Sequence, residues 1–170
     1  MKKHPILTVI GILFLVVLVS NIFNSGGSLS ETAKQNPAAA TQKQKTGSVT
    51  AAQVADMVDG VFKNNFPYSY ETRLDEESGV FNIDIWSDDI TSQSIAETRE
   101  SGKLSVWNNM VSNLASTTST IQNAFNENGH DEIVAVMSLC DPVDHSTTFL
   151  TIANGVAGYD AVNEIDLLNK

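Results

Sequence analysis

The stretch YSYETRLDEESGVFNIDIW, residues 68–86, decides the fold of this chain. Tyr68, Tyr70, Thr72 and Leu74 alternate with Ser69, Glu71 and Arg73. After Asp75-Glu76-Glu77-Ser78-Gly79, the apolar residues Phe81, Ile83 and Ile85 alternate with Asn82, Asp84 and Trp86. A period of two sends successive side chains to opposite faces, so the two runs read as a β-hairpin with one buried face. The acidic segment between them, ending in glycine, reads as its solvated turn.

Upstream, Thr50-Ala51-Ala52-Gln53 is a capping box that starts a helix. Val54, Met57, Val58, Val61 and Phe62 form its apolar stripe, and Pro67 stops it near Asn65 or Phe66. Downstream, helical spacing returns from Ile90 to Asn128, with a break expected at Ser101-Gly102 because glycine within a helix costs about 1 kcal/mol against alanine. Leu104, Trp107, Val111, Leu114, Thr118, Ile121 and Phe125 mark the buried stripe of its second part, and Asn128-Gly129 fits a left-handed cap. The other face carries Ser105, Ser112, Ser116, Thr117, Ser119 and Thr120, an uncharged surface suited to a partner.

Glu132 to Cys140 reads as a central strand, Asp141 to His145 as a turn, and Thr147 to Ala153 as an alternating strand. Asn154-Gly155 is a strong two-residue hairpin signal, which makes Val156 to Val162 a further strand and leaves residues 163–170 as a tail. The order α-β-β-α-β-β-β predicts an α+β domain, a largely antiparallel sheet of four or five strands with two helices packed on one face, behind an N-terminal transmembrane helix.

That last element comes from the run Ile6 to Phe23, which is uncharged and dominated by Ile, Leu and Val after the cationic Lys2 and Lys3. As a helix it spans about 27 Å, close to the roughly 30 Å of a hydrocarbon core. No small-x-small cleavage pattern follows it directly, so residues 1–23 read as a signal anchor, with a cleaved signal peptide as the alternative. Lys2 and Lys3 favour a cytoplasmic N-terminus, which places the rest of the chain outside the membrane, or secreted if the leader is cleaved. Residues 24–49, rich in Ser, Gly, Ala, Thr, Gln and Lys and lacking aromatics, read as a flexible linker. As a coil this linker reaches roughly 28 Å. Residues 50–170 are then the extracytoplasmic domain.

The net charge of −10 divides unevenly along the chain. Residues 1–50 hold five basic side chains and one acid, for +4, whereas residues 51–170 hold five bases and nineteen acids, for −14. Nucleic-acid binding is driven by basic residues displacing counterions, so a block this acidic excludes nucleic acid as an expected partner. The single cysteine rules out an internal disulfide.

The motifs of catalysis are absent: no G-x-S-x-G elbow, no Ser-x-x-Lys and no phosphate-binding loop. Cys140 ends an apolar strand with no basic neighbour in sequence to activate it. Asp141, Asp144 and His145 crowd one end of the Glu132–Cys140 strand and His130, Asp131 and Glu132 the other. A strand of that length separates the two clusters by roughly 30 Å, so they cannot share an ion. No metal site and no cofactor is expected. Asp84, Asp88 and Asp89 are the acids that a hydrolase would use, and 19 acids in the domain make such proximity unspecific. The candidate ligand-binding residues are Trp86, Asp88, Tyr68 and Tyr70, with Trp86 set on the face opposite Phe81, Ile83 and Ile85.

FPYSYE, GVFNIDIW, the W-x-x-M-x-x-x-L helix of Trp107, Met110 and Leu114, and LTIANGVAGYDAVN together make the region from about Thr50 to Asn163 resemble uncharacterised membrane-anchored or exported extracytoplasmic domains of Gram-positive bacteria. The resemblance carries no catalytic motif. It implies a helix-and-sheet domain behind an anchor or export signal. The functional expectation is a membrane-tethered binding or accessory module, held in the membrane by residues 6–23, that engages a protein or envelope component without catalysis. The alternatives are an extracytoplasmic hydrolase using acids near Asp84 to Asp89, and a chaperone-like or structural dimer; the oligomeric state is left open.

Overall fold

The structure, a computed structural model, describes residues 49–169, so the expected membrane helix at residues 6–23 and nearly all of the linker lie outside the described residues. Among the described residues no helix is long and apolar enough to cross a membrane.

Thr50 opens the domain as expected: its Oγ1 accepts the Gln53 amide at 3.2 Å while Gln53 Oε1 accepts the Thr50 amide at 2.9 Å. Helix α1, Ala51–Asn65, follows, burying Val54, Val58, Val61 and Phe62. Met57 departs from the expected stripe and is 40% exposed. The helix ends at Phe66, whose extended backbone is what a following proline requires. The hairpin then forms from β1, Ser69–Asp75, and β2, Val80–Trp86, paired antiparallel with Leu74 opposite Phe81 and Tyr70 opposite Ile85. At its tip Gly79 has φ +68, and a Cβ there would stand 2.7 Å from the Glu132 carbonyl oxygen, so both conformation and space require glycine.

The expected break at Gly102 divides the central helical region, giving three helices in the domain where two were expected. Helix α2, Ser92–Ser101, ends on Gly102 at φ 64, and α3 runs Ser105–Glu127. Together they carry the chain from β2 to β3, Val134–Cys140, which pairs with β2 in parallel. Strands β4, Thr148–Ala153, and β5, Val156–Asp160, complete an antiparallel hairpin around Asn154-Gly155. The presumed tail also joins the sheet: Ile165–Asp166 is a short strand β6 paired with β5. Among the described residues the sheet therefore has six strands in the order β1-β2-β3-β4-β5-β6, one more than the upper expectation, and only the β2–β3 pairing is parallel. Two residues give too little alternation for any periodicity argument, so β6 is invisible to a sequence reading.

Helices α1 and α3 share one face of this sheet. Phe62 of α1 meets Tyr70 at 5.4 Å between ring centroids, and Phe125 of α3 meets Phe81 at 5.3 Å. Since Tyr70 pairs with Ile85 and Leu74 with Phe81, both contacts fall on the same side. Phe81, Ile83 and Ile85 of β2 and Ala135, Met137 and Leu139 of β3 are at most 1% exposed.

Two buried polar groups fix α3 on the sheet. Asp160, 1% exposed, lies on the helix-covered face, in the row running through Ile85, Leu139 and Leu150. Its carboxylate accepts the Trp107 indole N–H and the amides of Val162 and Asn163, each at 2.9–3.0 Å. At the far end of α3, Gln122 donates to the Ile133 carbonyl and accepts the Ala135 amide, joining helix to strand through both halves of its side-chain amide. The serine- and threonine-rich face is only partly a surface. Thr117 is buried, and Ser119 with Ala115 lies so close to the β4–β5 turn that a Cβ on Gly155 would come within 3.0 Å of Ser119 Cβ. Small side chains are needed there to let the hairpin tip approach the helix.

His130 clasps the entry to the domain: its Nε2 lies 2.8 Å from the Val49 carbonyl and its Nδ1 lies 3.3 Å from Glu132. The Val49 carbonyl is the main cause that raises its pKa, with Glu132 and the charge of Glu76 adding to it.

Removing one partner of a buried hydrogen-bonded charge costs about 1–3 kcal/mol. Trp107→Phe should therefore destabilise the domain by about 2 kcal/mol in urea unfolding, and Asp160→Ala by more, because it strands four donors, the side-chain amide of Asn163 being the fourth. For His130 the folded pKa is the higher one, so its contribution is complete below the unfolded value near 6.5 and is lost as pH rises through the folded value. His130→Ala should lower the melting temperature at pH 5.5 more than at pH 8.5, values chosen to bracket about pH 6.5.

Candidate functional site

With both large helices on one side, the opposite face of the sheet has no helix assigned to it among the described residues, and the strand register specifies what it carries. One row crosses all six strands: Glu71, Asp84, Ser138, Thr151, Tyr159 and Asp166 are successive register partners. Beside it runs a second row, Arg73, Asn82, Val136, Ala153 and Val156. Val134 and Val156, at 40% and 63% exposure, give this end of the face an apolar rim. At the other end stand Trp86, Cys140 and Thr148.

The electrostatics of this face centre on Asp84. It is half-buried, and desolvation raises its pKa above the ordinary carboxylate value. Arg73 and His145 pull the value down, and the neighbouring Glu71 pushes it up. Trp86 is likewise half-buried, and it stacks on His145 with ring centroids 4.2 Å apart and planes tilted by 33°. The imidazole comes from the turn between β3 and β4, which Asp141 shapes by accepting the amides of Val143 and Asp144 and both the amide and hydroxyl of Ser92. One carboxylate thus orders the loop carrying His145 and caps the N-terminus of α2, where negative charge is favoured. Those bonds, the Val143 amide first, lower the Asp141 pKa.

Burial, aided by the charge of Asp84, raises the Cys140 thiol pKa, with a hydrogen bond from Thr148 opposing. A reactive cysteine needs the opposite shift. In the loop beside this face, Asp144 accepts Ser146 and Thr147, and His145 lies on Trp86. Among the described residues no group of three or more His, Cys, Asp or Glu is arranged to hold a metal ion.

The four candidate ligand-binding residues do not form one cluster. Trp86 is on the open face. Tyr70 is on the helix side, where its ring packs against Phe62 and Phe66 and its hydroxyl donates to the Asp59 carbonyl at 3.3 Å. Tyr68 packs edge-on against Phe66, and burial, with the charge of Asp89 adding, pushes its pKa up to about 12. Asp88 is exposed in the turn after β2. The hydrolase set divides in the same way. Asp84 is surrounded by Arg73, Glu71 and His145, whereas Asp89 acts on Tyr68. His145, Arg73, Ser138 and Thr151 were missed as members of this face. The hairpin alternation placed Arg73 on a face with Glu71, but only the strand register brings in Ser138 and Thr151, and only the loop brings in His145.

Comparison with protein-family models, characterised proteins and solved structures finds no match to this chain.

Because the folded state holds Asp84 at a raised pKa, folding takes up a proton there, and the charged carboxylate opposes folding once pH exceeds the unfolded value near 3.8. Asp84→Asn should therefore raise the melting temperature at pH 7 and leave it nearly unchanged at pH 3.5, as measured by calorimetry. A lower melting temperature at pH 7 would mean that the attraction of Arg73 and His145 outweighs the desolvation.

Proposed function

We propose that this chain is a membrane-tethered, extracytoplasmic binding or accessory module that uses the open face of its sheet to engage a protein or envelope component. The observation that carries the reading is the half-buried Asp84 carboxylate, its pKa raised by desolvation, set between Arg73 and the Trp86–His145 stack on a face that no helix among the described residues is assigned to cover. Charge retained against stability is a common property of binding surfaces, where function and folding make competing demands. The apolar rim at Val134 and Val156 adds surface of the kind a protein partner buries. The anchoring and the orientation rest on the charge and hydropathy of residues 1–49, and the kinship on the resemblance to Gram-positive extracytoplasmic domains.

The test has two parts. Protease added to intact cells should digest residues 50–170 from outside while the N-terminus stays protected; protection of the whole chain would remove the extracytoplasmic assignment. Chemical cross-linking of the full chain in its native envelope, followed by purification, should recover a partner whose yield falls at least tenfold with Trp86→Ala or His145→Ala while the melting temperature stays within a few degrees, since truncating a binding hot spot costs about 2 kcal/mol or more. A recovered set unchanged by either substitution would refute the open face as the binding surface.

A further inference from the structure

The two edges of the sheet are unequal. At one end β6 contributes only two residues, a short edge that offers little to a second strand. At the other end β1 runs for seven residues, Ser69–Asp75, without proline, and among the described residues pairs with β2 alone. Edge strands of this length usually carry some feature that blocks further pairing. Here the register with β2 is regular over all seven residues, so no bulge interrupts it. The strand is also held in place from the helix side: the Tyr70 hydroxyl donates to the Asp59 carbonyl at 3.3 Å and the Thr72 hydroxyl to the Asp59 carboxylate at 3.1 Å.

The sequence of this edge is complementary to itself. Turned antiparallel about a two-fold axis at Thr72, the strand SYETRLD sets Glu71 opposite Arg73 of a second copy and Arg73 opposite its Glu71, on the open face. Tyr70 then meets Leu74 of the second copy on the helix side, and Thr72 meets Thr72. Directly opposed side chains in antiparallel pairs share a face, and opposite charges there stabilise while like charges destabilise. A shift by one residue would break the match. It would move the axis between residues, so that side chains from different faces no longer coincide with this pattern.

We propose that the chain self-associates by antiparallel pairing of β1 with β1 of a second copy, in the register centred on Thr72, joining two six-stranded sheets into one. Two-fold pairing of one patch with itself is the commonest symmetry of homodimers. A single strand pair is smaller than the interfaces of permanent dimers, which bury more than about 2,000 Å², so the association is weak and concentration-dependent. It leaves the Trp86–His145 stack outside the joint, while Glu71 and Arg73 at the edge of the open face take part in it.

The experiment uses the full chain in detergent at increasing concentration. Cα atoms of opposed antiparallel residues lie about 4.5–5.5 Å apart, within reach of a disulfide. Thr72→Cys should therefore give an oxidised dimer, while Ser69→Cys, which would face Asp75 of the second copy, should not cross-link to itself; the native chain, whose one cysteine is buried, is the background. Sedimentation supplies a second measurement that leaves Thr72 intact. Glu71→Arg or Arg73→Glu alone should each weaken association by about tenfold, because two opposed pairs become like-charged, and the double exchange should restore it to within about twofold. A monomer at all concentrations, equal cross-linking from Ser69→Cys, or association unaffected by the single charge reversals would each overturn the proposal.

Discussion

The two-sided character of β2 is the constraint on which the rest of the structure depends. Its residues alternate without interruption between a sealed side, where Phe81, Ile83 and Ile85 are at most 1% exposed, and a side where Asn82, Asp84 and Trp86 remain accessible. Because β2 pairs with β1 in one direction and β3 in the other, its alternation is transmitted by register to the whole sheet. The parallel step to β3 requires a crossover, and helices α2 and α3 together supply most of it. That helix must lie on the apolar side, because only there does its stripe of Trp107, Leu114, Ile121 and Phe125 find apolar surface. One face is thereby committed to the core, and the other is left without a helix among the described residues.

The second organising feature is how an acidic domain uses its carboxylates. Ion pairs are scarce among the described residues, with Arg99–Glu164 and His130–Glu132 the ones formed. Aspartates instead accept hydrogen bonds from backbone amides. Asp75 holds the amides of Glu77 and Ser78, Asp141 those of Ser92, Val143 and Asp144, and Asp160 those of Val162 and Asn163. At Asp75 and Asp141 hydrogen bonds are the main cause that lowers the pKa and favours the charged form. The net charge of the domain is thus spread over turns and a helix terminus, where it orders local backbone. Asp84 is the exception: its environment raises its pKa, and it lies at the centre of the open face.

The legible parts of the fold were those with strong local periodicity or punctuation: the capping box at Thr50, the alternation through residues 68–86, the glycine break at Gly102 and the Asn154-Gly155 turn. The two-residue β6 and the burial of Thr117 carried no such signal, since each depends on a neighbour distant in sequence. The candidate site was less legible. Trp86 was placed on its face correctly by parity, but Tyr70 has the opposite parity and belongs to the aromatic cluster with Phe62 and Phe66. Aromatic type identified both residues; only their position in the alternation separated them.

By itself the sequence determined the α+β class, the sealed and open faces of the hairpin, the start of the first helix and the uneven distribution of charge, because each follows from spacing or composition over a few adjacent residues. The tertiary structure alone decided the parallel joint between β2 and β3, the buried Asp160–Trp107 bond across 53 residues of sequence, and the meeting of Trp86 with His145. These depend on register and crossover, which bring distant segments together through packing, and no local pattern records which strand will stand beside which.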